Sequence, residues 1–174
     1  MTINYTLQVQ LTHYNTEFTK RTFPVVLVCD NVTNAPNLGS LFRIADAFGI
    51  QKLILCGKNI VIGRKLTKTS RATEKVVNYE ICSSASAVTK TLKDEGYQII
   101  ALEITKTSKP IHNFKFSNQT PIALVIGDEN FGVSESILNI SNEAIHIDMF
   151  GNNSSMNVVQ ATNIALYEIT KQLM

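Results

Sequence analysis

Six short segments restrict what this chain can fold into: Phe23–Cys29, Lys52–Cys56, Val76–Ile81, Gln98–Leu102, Pro121–Ile126 and Ile145–Met149. Most are continuous apolar runs, not alternating ones. A strand that is apolar at every position needs cover on both faces, as in a parallel sheet flanked by helices. Helical patterns lie between them. Asn37 is placed to cap a helix through Leu41, Phe42, Ile44, Ala45 and Phe48, which Gly49 closes. Ser83 or Ser84 caps a second, running to Asp94 and closed by Gly96. Ser134 starts a short third through Ile137 and Leu138. Met156–Leu173 reads as the last, with Ser154 or Ser155 as its cap and Val159, Leu166, Ile169 and Leu173 on its buried face. Strand–helix alternation of this kind predicts an α/β fold, a parallel sheet with helices on both faces.

With 174 residues the chain suits a single domain. Residues 1–22 read as a polar N-terminal arm with a short strand at Leu7–Leu11, and 23–174 as the domain proper. No apolar run reaches the 18 residues of a membrane span, and no secretory signal is visible. Cys29, Cys56 and Cys82 are odd in number and sit in or beside apolar runs, which suggests core filler in a reducing cytosol. His13, His112 and His146 stand apart without acidic or cysteine neighbours at ligand spacing, so no metal is expected. The net charge of +2 permits a local nucleic-acid patch without requiring one. The best candidate for phosphate contacts is the basic stretch Lys58–Lys75, which includes Arg64, Lys65 and Arg71.

Ligands of such sheets bind outside the carboxyl ends of the strands. Three polar loops follow strands: Asp30–Gly39, Gly127–Gly132 and Gly151–Asn157. The second is bracketed by glycines but lacks the Lys-Ser/Thr ending of a phosphate-binding loop and the glycine spacing of a dinucleotide fold. Glu129 within it is placed to cap the next helix or to pair with Arg43. Gly39 allows a backbone or a ligand to come close. Thr105–Thr120 shows no clear element, and a loop that long is often functional.

In order, these loops carry Asn37-x-Gly39-x-x-x-Arg43, then Gly127-x-Glu129-x-x-Gly132, then Ile147-x-Met149-x-Gly151-x-x-x-Ser155-Met156-Asn157-Val158. The series resembles the three motifs of the SpoU family of RNA ribose 2′-O-methyltransferases, in the SPOUT superfamily, from roughly Phe23 to the end. Asp148 stands where Pro is usual and Met156 where Leu is usual. The resemblance implies a C-terminal deep trefoil knot, which general chain topology would not suggest. It implies S-adenosylmethionine held by Leu102, Glu103, Gly127, Ile147, Ser155 and Met156. It implies a homodimer acting on tRNA or rRNA, with Arg43 carrying the catalysis and Asn37, Glu129, Ser155 and Asn157 orienting Arg43 and the ribose. A guanidinium does not readily lose a proton, so Arg43 suits phosphate binding and alkoxide stabilisation better than the role of general base. The competing expectations are an RNA-binding module of the same fold without catalysis, and a nucleotide- or flavin-binding protein.

Overall fold

The strands pair in parallel because every connection between neighbours crosses over through helix or long loop. In a computed structural model, residues 10–12 and 15–174 are described. The strands are β1 Phe23–Asp30, β2 Ile50–Cys56, β3 Tyr79–Cys82, β4 Gln98–Leu102, β5 Lys109–Pro110, β6 Ile122–Ile126 and β7 Glu143–His146. They form one sheet in the order β3-β2-β1-β6-β4-β7-β5, and every pairing is parallel. Central β1 and β6 align Val25 with Ile122 through Cys29 with Ile126. The helices are α1 Ala35–Ala47, α2 Arg64–Ser70, α3 Ala85–Asp94, α4 Glu135–Leu138 and α5 Val158–Leu173.

Alternate residues of each strand serve opposite faces. Leu27, Cys29, Leu53, Leu55, Leu124 and Ile126 pack against Leu41 and Phe42 of α1, Leu66 of α2 and Leu166 and Ile169 of α5. Val26, Val28, Ile54, Ala101, Ala123 and Val125 pack against Ala85 and Leu92 of α3 and Ile137 of α4. The expected α/β architecture with helices on both faces is therefore the observed one. Among the described residues, no helix is long and apolar enough to cross a membrane.

Several boundaries differ, each for a local reason. Asn34, not Asn37, caps α1: its side chain accepts from the Asn37 amide at 3.1 Å, and Pro36 sits in the first turn, where its missing N–H costs nothing. Asn37 is thereby free to point elsewhere. Likewise Asn157, not Ser154 or Ser155, caps α5, with Oδ1 accepting from Val159 N at 2.9 Å. The third strand starts at Tyr79, because Thr73–Lys75 form a 3-10 turn that leaves Val76 exposed. The last strand ends at His146, and residues 147–149 leave the sheet. The segment 105–120 is not featureless. It holds β5 and a 3-10 turn at Ile111–Asn113 and buries Phe114 and Phe116. Gln172 of α5 fastens it, accepting from Phe116 N at 3.1 Å and donating to Phe114 O at 3.0 Å. The strand expected at 7–11 falls largely outside the described residues, as does His13. Leu11 belongs to no regular element and is exposed, and residues 16–22 also form none.

Candidate active site

The order of the strands turns around between β1 and β6: β1 leads to β2 on one side, β6 to β7 on the other. Loops diverge at such a point and leave a crevice. On the β6 side of that point the loops after β4, β6 and β7 and the start of α5 form a cavity of about 920 Å³, inside the range of small-molecule sites. All six residues expected around a cofactor line it: Leu102, Glu103, Gly127, Ile147, Ser155 and Met156.

The Gly127–Gly132 loop is closed on itself. Asp128 N donates to Gly132 O at 3.1 Å and Gly132 N donates back at 2.8 Å. Asp128 Oδ1 also takes the amides of Asn130 and Phe131 at 2.7 and 3.0 Å. A Cβ on Gly127 would fall on the Gly132 backbone, so the loop can close this tightly only with glycine there. The described residues lining the cavity include the carboxylates Glu103, Asp128 and Glu129 and no Lys or Arg.

At the rim three motif residues meet. Asn37 Nδ2 donates to Glu129 Oε1, and Asn157 Nδ2 lies 3.5 Å from Asn37 Oδ1. Glu129 therefore holds Asn37; it neither caps α4, whose cap position is Ser134, nor pairs with Arg43. Arg43 lies six residues after Asn37 on α1, about 9 Å along the axis and roughly 120° around it. It is exposed and makes no hydrogen bond or ion pair to another described residue. Ser155 is exposed on the cavity wall, and its amide lies 3.5 Å from Asn153 Oδ1.

Arg64, Lys65 and Arg71 are all exposed on or just after α2. Gly39 sets the position of that helix. A Cβ there would come within 2.5 Å of Leu66 O, so the close partner is the backbone of α2. The basic surface is thereby fixed to the helix that carries Asn37 and Arg43.

One group escaped the sequence reading. His146 Nδ1 meets Ser108 Oγ at 2.9 Å. Asp148 lies 3.4 Å from His146 Nε2 and 3.2 Å from His112 Nδ1. These residues tie the segment after β4 to the segment after β7 beside the cavity. Asp148 at a position where Pro is usual was the available signal.

Comparison with known proteins agrees with this geometry. The tRNA (guanosine(18)-2′-O)-methyltransferase of Aquifex aeolicus is 34% identical over 157 residues, covering 88% of this chain and 72% of that protein. The crystal structure of the A. aeolicus TrmH/SpoU tRNA modifying enzyme superposes with a TM-score of 0.78 at 31% identity, over 88% of this chain and 77% of that one. An AdoMet-bound rRNA methyltransferase from Sinorhizobium meliloti shares the fold, with a TM-score of 0.79 at 21% identity over 86% of this chain and 57% of that one. Curated 23S rRNA (guanosine-2′-O-)-methyltransferases match at 27% to 29% identity, and the chain spans 58% to 61% of their length. Fold and relatives together mark an RNA methyltransferase domain. The chain belongs to the SpoU rRNA Methylase family, whose model matches residues 24–167.

Proposed function

We propose that this chain methylates a ribose 2′-oxygen of tRNA or rRNA, as a homodimer working in the cytosol. The observation that carries the reading is the meeting of Asn37, Glu129 and Asn157 at the rim of an acidic, partly apolar cavity. Of the six residues that the resemblance names, Leu102, Gly127, Ile147, Ser155 and Met156 hold the cofactor, largely through backbone groups at strand ends, and Glu103 lines the same cavity.

S-adenosylmethionine supplies the methyl group on a positively charged sulfur, so the chain must align the ribose and dispose of its hydroxyl proton. Alignment of two bound reactants is worth roughly 7–11 kcal/mol. Asn37 presents an amide group fixed by the Glu129 carboxylate. Asn157 is committed at both ends, capping α5 through its oxygen and facing Asn37 through its nitrogen. Ser155 adds a hydroxyl on the same wall. Arg43, unpaired among the described residues, binds the phosphate next to the target ribose and stabilises the alkoxide as its proton leaves to solvent. Arg64, Lys65 and Arg71 hold more distant phosphates. An exposed apolar strip on α5, with Ile164 39% and Tyr167 60% accessible, supports the pairing of two copies. The resemblance in motif order supports a knot formed where the segment 147–157 passes the loop after β4. The unpaired thiols Cys29, Cys56 and Cys82 suit a reducing compartment.

The test is incubation with methyl-labelled S-adenosylmethionine and unmodified tRNA or rRNA, followed by digestion to nucleosides. A labelled 2′-O-methyl nucleoside from one RNA is the expected result. RNA binding without label and without cofactor binding by calorimetry would instead make the chain a non-catalytic RNA-binding module.

A further inference from the structure

The segment Gly127–Ser134 contributes to both halves of the site. Gly127 and Asp128 wall the cavity, and Glu129 holds Asn37. Its internal bonds give it a shape but do not fix where it sits on the sheet. Two carboxylates from the flanking strands do so. β6, which the segment follows, lies between β1 and β4.

On one side, Glu103 directly after β4 sets Oε2 at 2.9 Å from Val133 N and Oε1 at 2.9 Å from Ile104 N. On the other, Asp30 at the end of β1 is 4% exposed. Its Oδ2 lies 2.9 Å from Ser134 N, and its Oδ1 accepts from Asn31 Nδ2 at 3.1 Å. Consecutive amides, Val133 and Ser134, are thus taken by acceptors on opposite sides. Gly132 leaves the space that the Glu103 carboxylate occupies. It adopts φ +68°, and a Cβ there would collide with Oε2. Both oxygens of Glu103 are engaged with backbone, although the residue lines the cavity. A hydrogen bond to an ionised acceptor is roughly twice as strong as a neutral one.

We propose that Asp30 and Glu103 are positioning residues. Together they form a two-sided carboxylate clamp that sets the Gly127–Ser134 segment before any ligand arrives. The cavity wall and the Glu129–Asn37 contact are then held in one register, which is the preorganisation that methyl transfer needs. Glu103 acts through the loop and not by touching the cofactor. The catalytic consequence rests on the methyltransferase reading above, whereas the clamp itself does not.

The experiment compares Glu103→Ala, Glu103→Gln and Asp30→Asn with the wild-type chain. Amide hydrogen exchange is read without ligand, and KM and kcat are read with S-adenosylmethionine and RNA. Loss of a charged hydrogen-bond partner corresponds to roughly a tenfold to hundredfold effect. Glu103→Ala is expected to speed exchange at Val133 by that factor while Leu27 and Leu124 stay protected. It should raise the KM for S-adenosylmethionine by a similar factor, with kcat at saturation falling much less. Glu103→Gln keeps one acceptor oxygen and recovers most of both. Asp30→Asn keeps Ser134 protected, because the Asn31 amide can turn to offer its oxygen.

Unchanged Val133 exchange in folded Glu103→Ala would overturn the clamp. So would equal loss of cofactor affinity in Glu103→Ala and Glu103→Gln with Val133 still protected, since Glu103 would then be a direct cofactor contact. If Glu103→Ala does not fold, wild-type exchange at Val133 in folded Glu103→Gln together with a raised KM overturns it equally. The expected exchange pattern in a wild-type chain that binds no S-adenosylmethionine would reject the methyltransferase reading and leave the clamp standing.

Discussion

Gly39→Ala sets helix propensity against packing, and the structure decides the sign. Gly39 lies inside α1, where alanine is favoured over glycine by about 1 kcal/mol. On propensity alone the substitution should stabilise. However, the new Cβ would stand 2.5 Å from Leu66 O, 2.8 Å from Thr69 Cβ and 3.0 Å from Ser70 N. Two of these three are backbone atoms of α2 that cannot rotate away. Overpacking of this kind costs about 1–3 kcal/mol, and the backbone contacts put the site at the upper end. The expected balance is a loss of about 2 kcal/mol, or a Tm lower by about 4–8 °C for a chain of this size. Differential scanning calorimetry is the assay. Gly151→Ala serves as the control, since a Cβ there meets no atom within 4 Å. Because α2 carries Arg64 and Lys65, Gly39→Ala should also weaken RNA binding while cofactor affinity stays unchanged. A Tm equal to or above that of the wild-type chain would refute the packing argument.

Arg43→Ala should lower turnover by about 10²–10³-fold with cofactor affinity kept; normal turnover would remove Arg43 from the reaction. Reversing the charges of Arg64, Lys65 and Arg71 together should weaken RNA binding and reduce the slope of log affinity against log salt by about 0.7–0.9 for each phosphate no longer neutralised. An unaltered slope would place the RNA elsewhere. Gln172→Ala leaves Phe116 N and Phe114 O without their partner and should cost about 1–3 kcal/mol in urea unfolding, so an unchanged midpoint would show that α5 does not fasten the 105–120 segment. Burial above all pushes the Cys29 thiol up, and burial followed by Cys82, Asp30 and Glu80 pushes Cys56 up to about 12. The reactive thiolate is therefore scarce at pH 8. An aromatic disulfide reagent should find at most Cys82 in the native chain and all three thiols after unfolding, whereas rapid reaction of all three would contradict the packing.

The sequence by itself determined the class of fold and the residue types of the site. Unbroken apolar runs such as Pro121–Ile126 must be covered on both faces, and the helical spacing of Leu166, Ile169 and Leu173 selects one buried stripe. Both are local periodicities, recoverable from the chain alone. The family resemblance carried by motif order also pointed to Asn37, Glu129 and Asn157, and to the six residues that line the cavity. The tertiary structure alone decided how they combine. Asn37 meets Glu129 across 92 residues because the strand order brings the ends of β1 and β6 together, and Asn157 across 120 because the segment after β7 returns to that edge. The caps at Asn34 and Asn157 were decided by competition among neighbouring polar side chains of equal propensity. The sequence placed Asp30 in a loop and, by resemblance, Glu103 beside the cofactor, where it does line the cavity. Only the placement of β6 between their strands shows their carboxylates taking the amides of Ser134 and Val133, because a hydrogen bond is fixed by direction and distance in space, which periodicity along the chain does not encode.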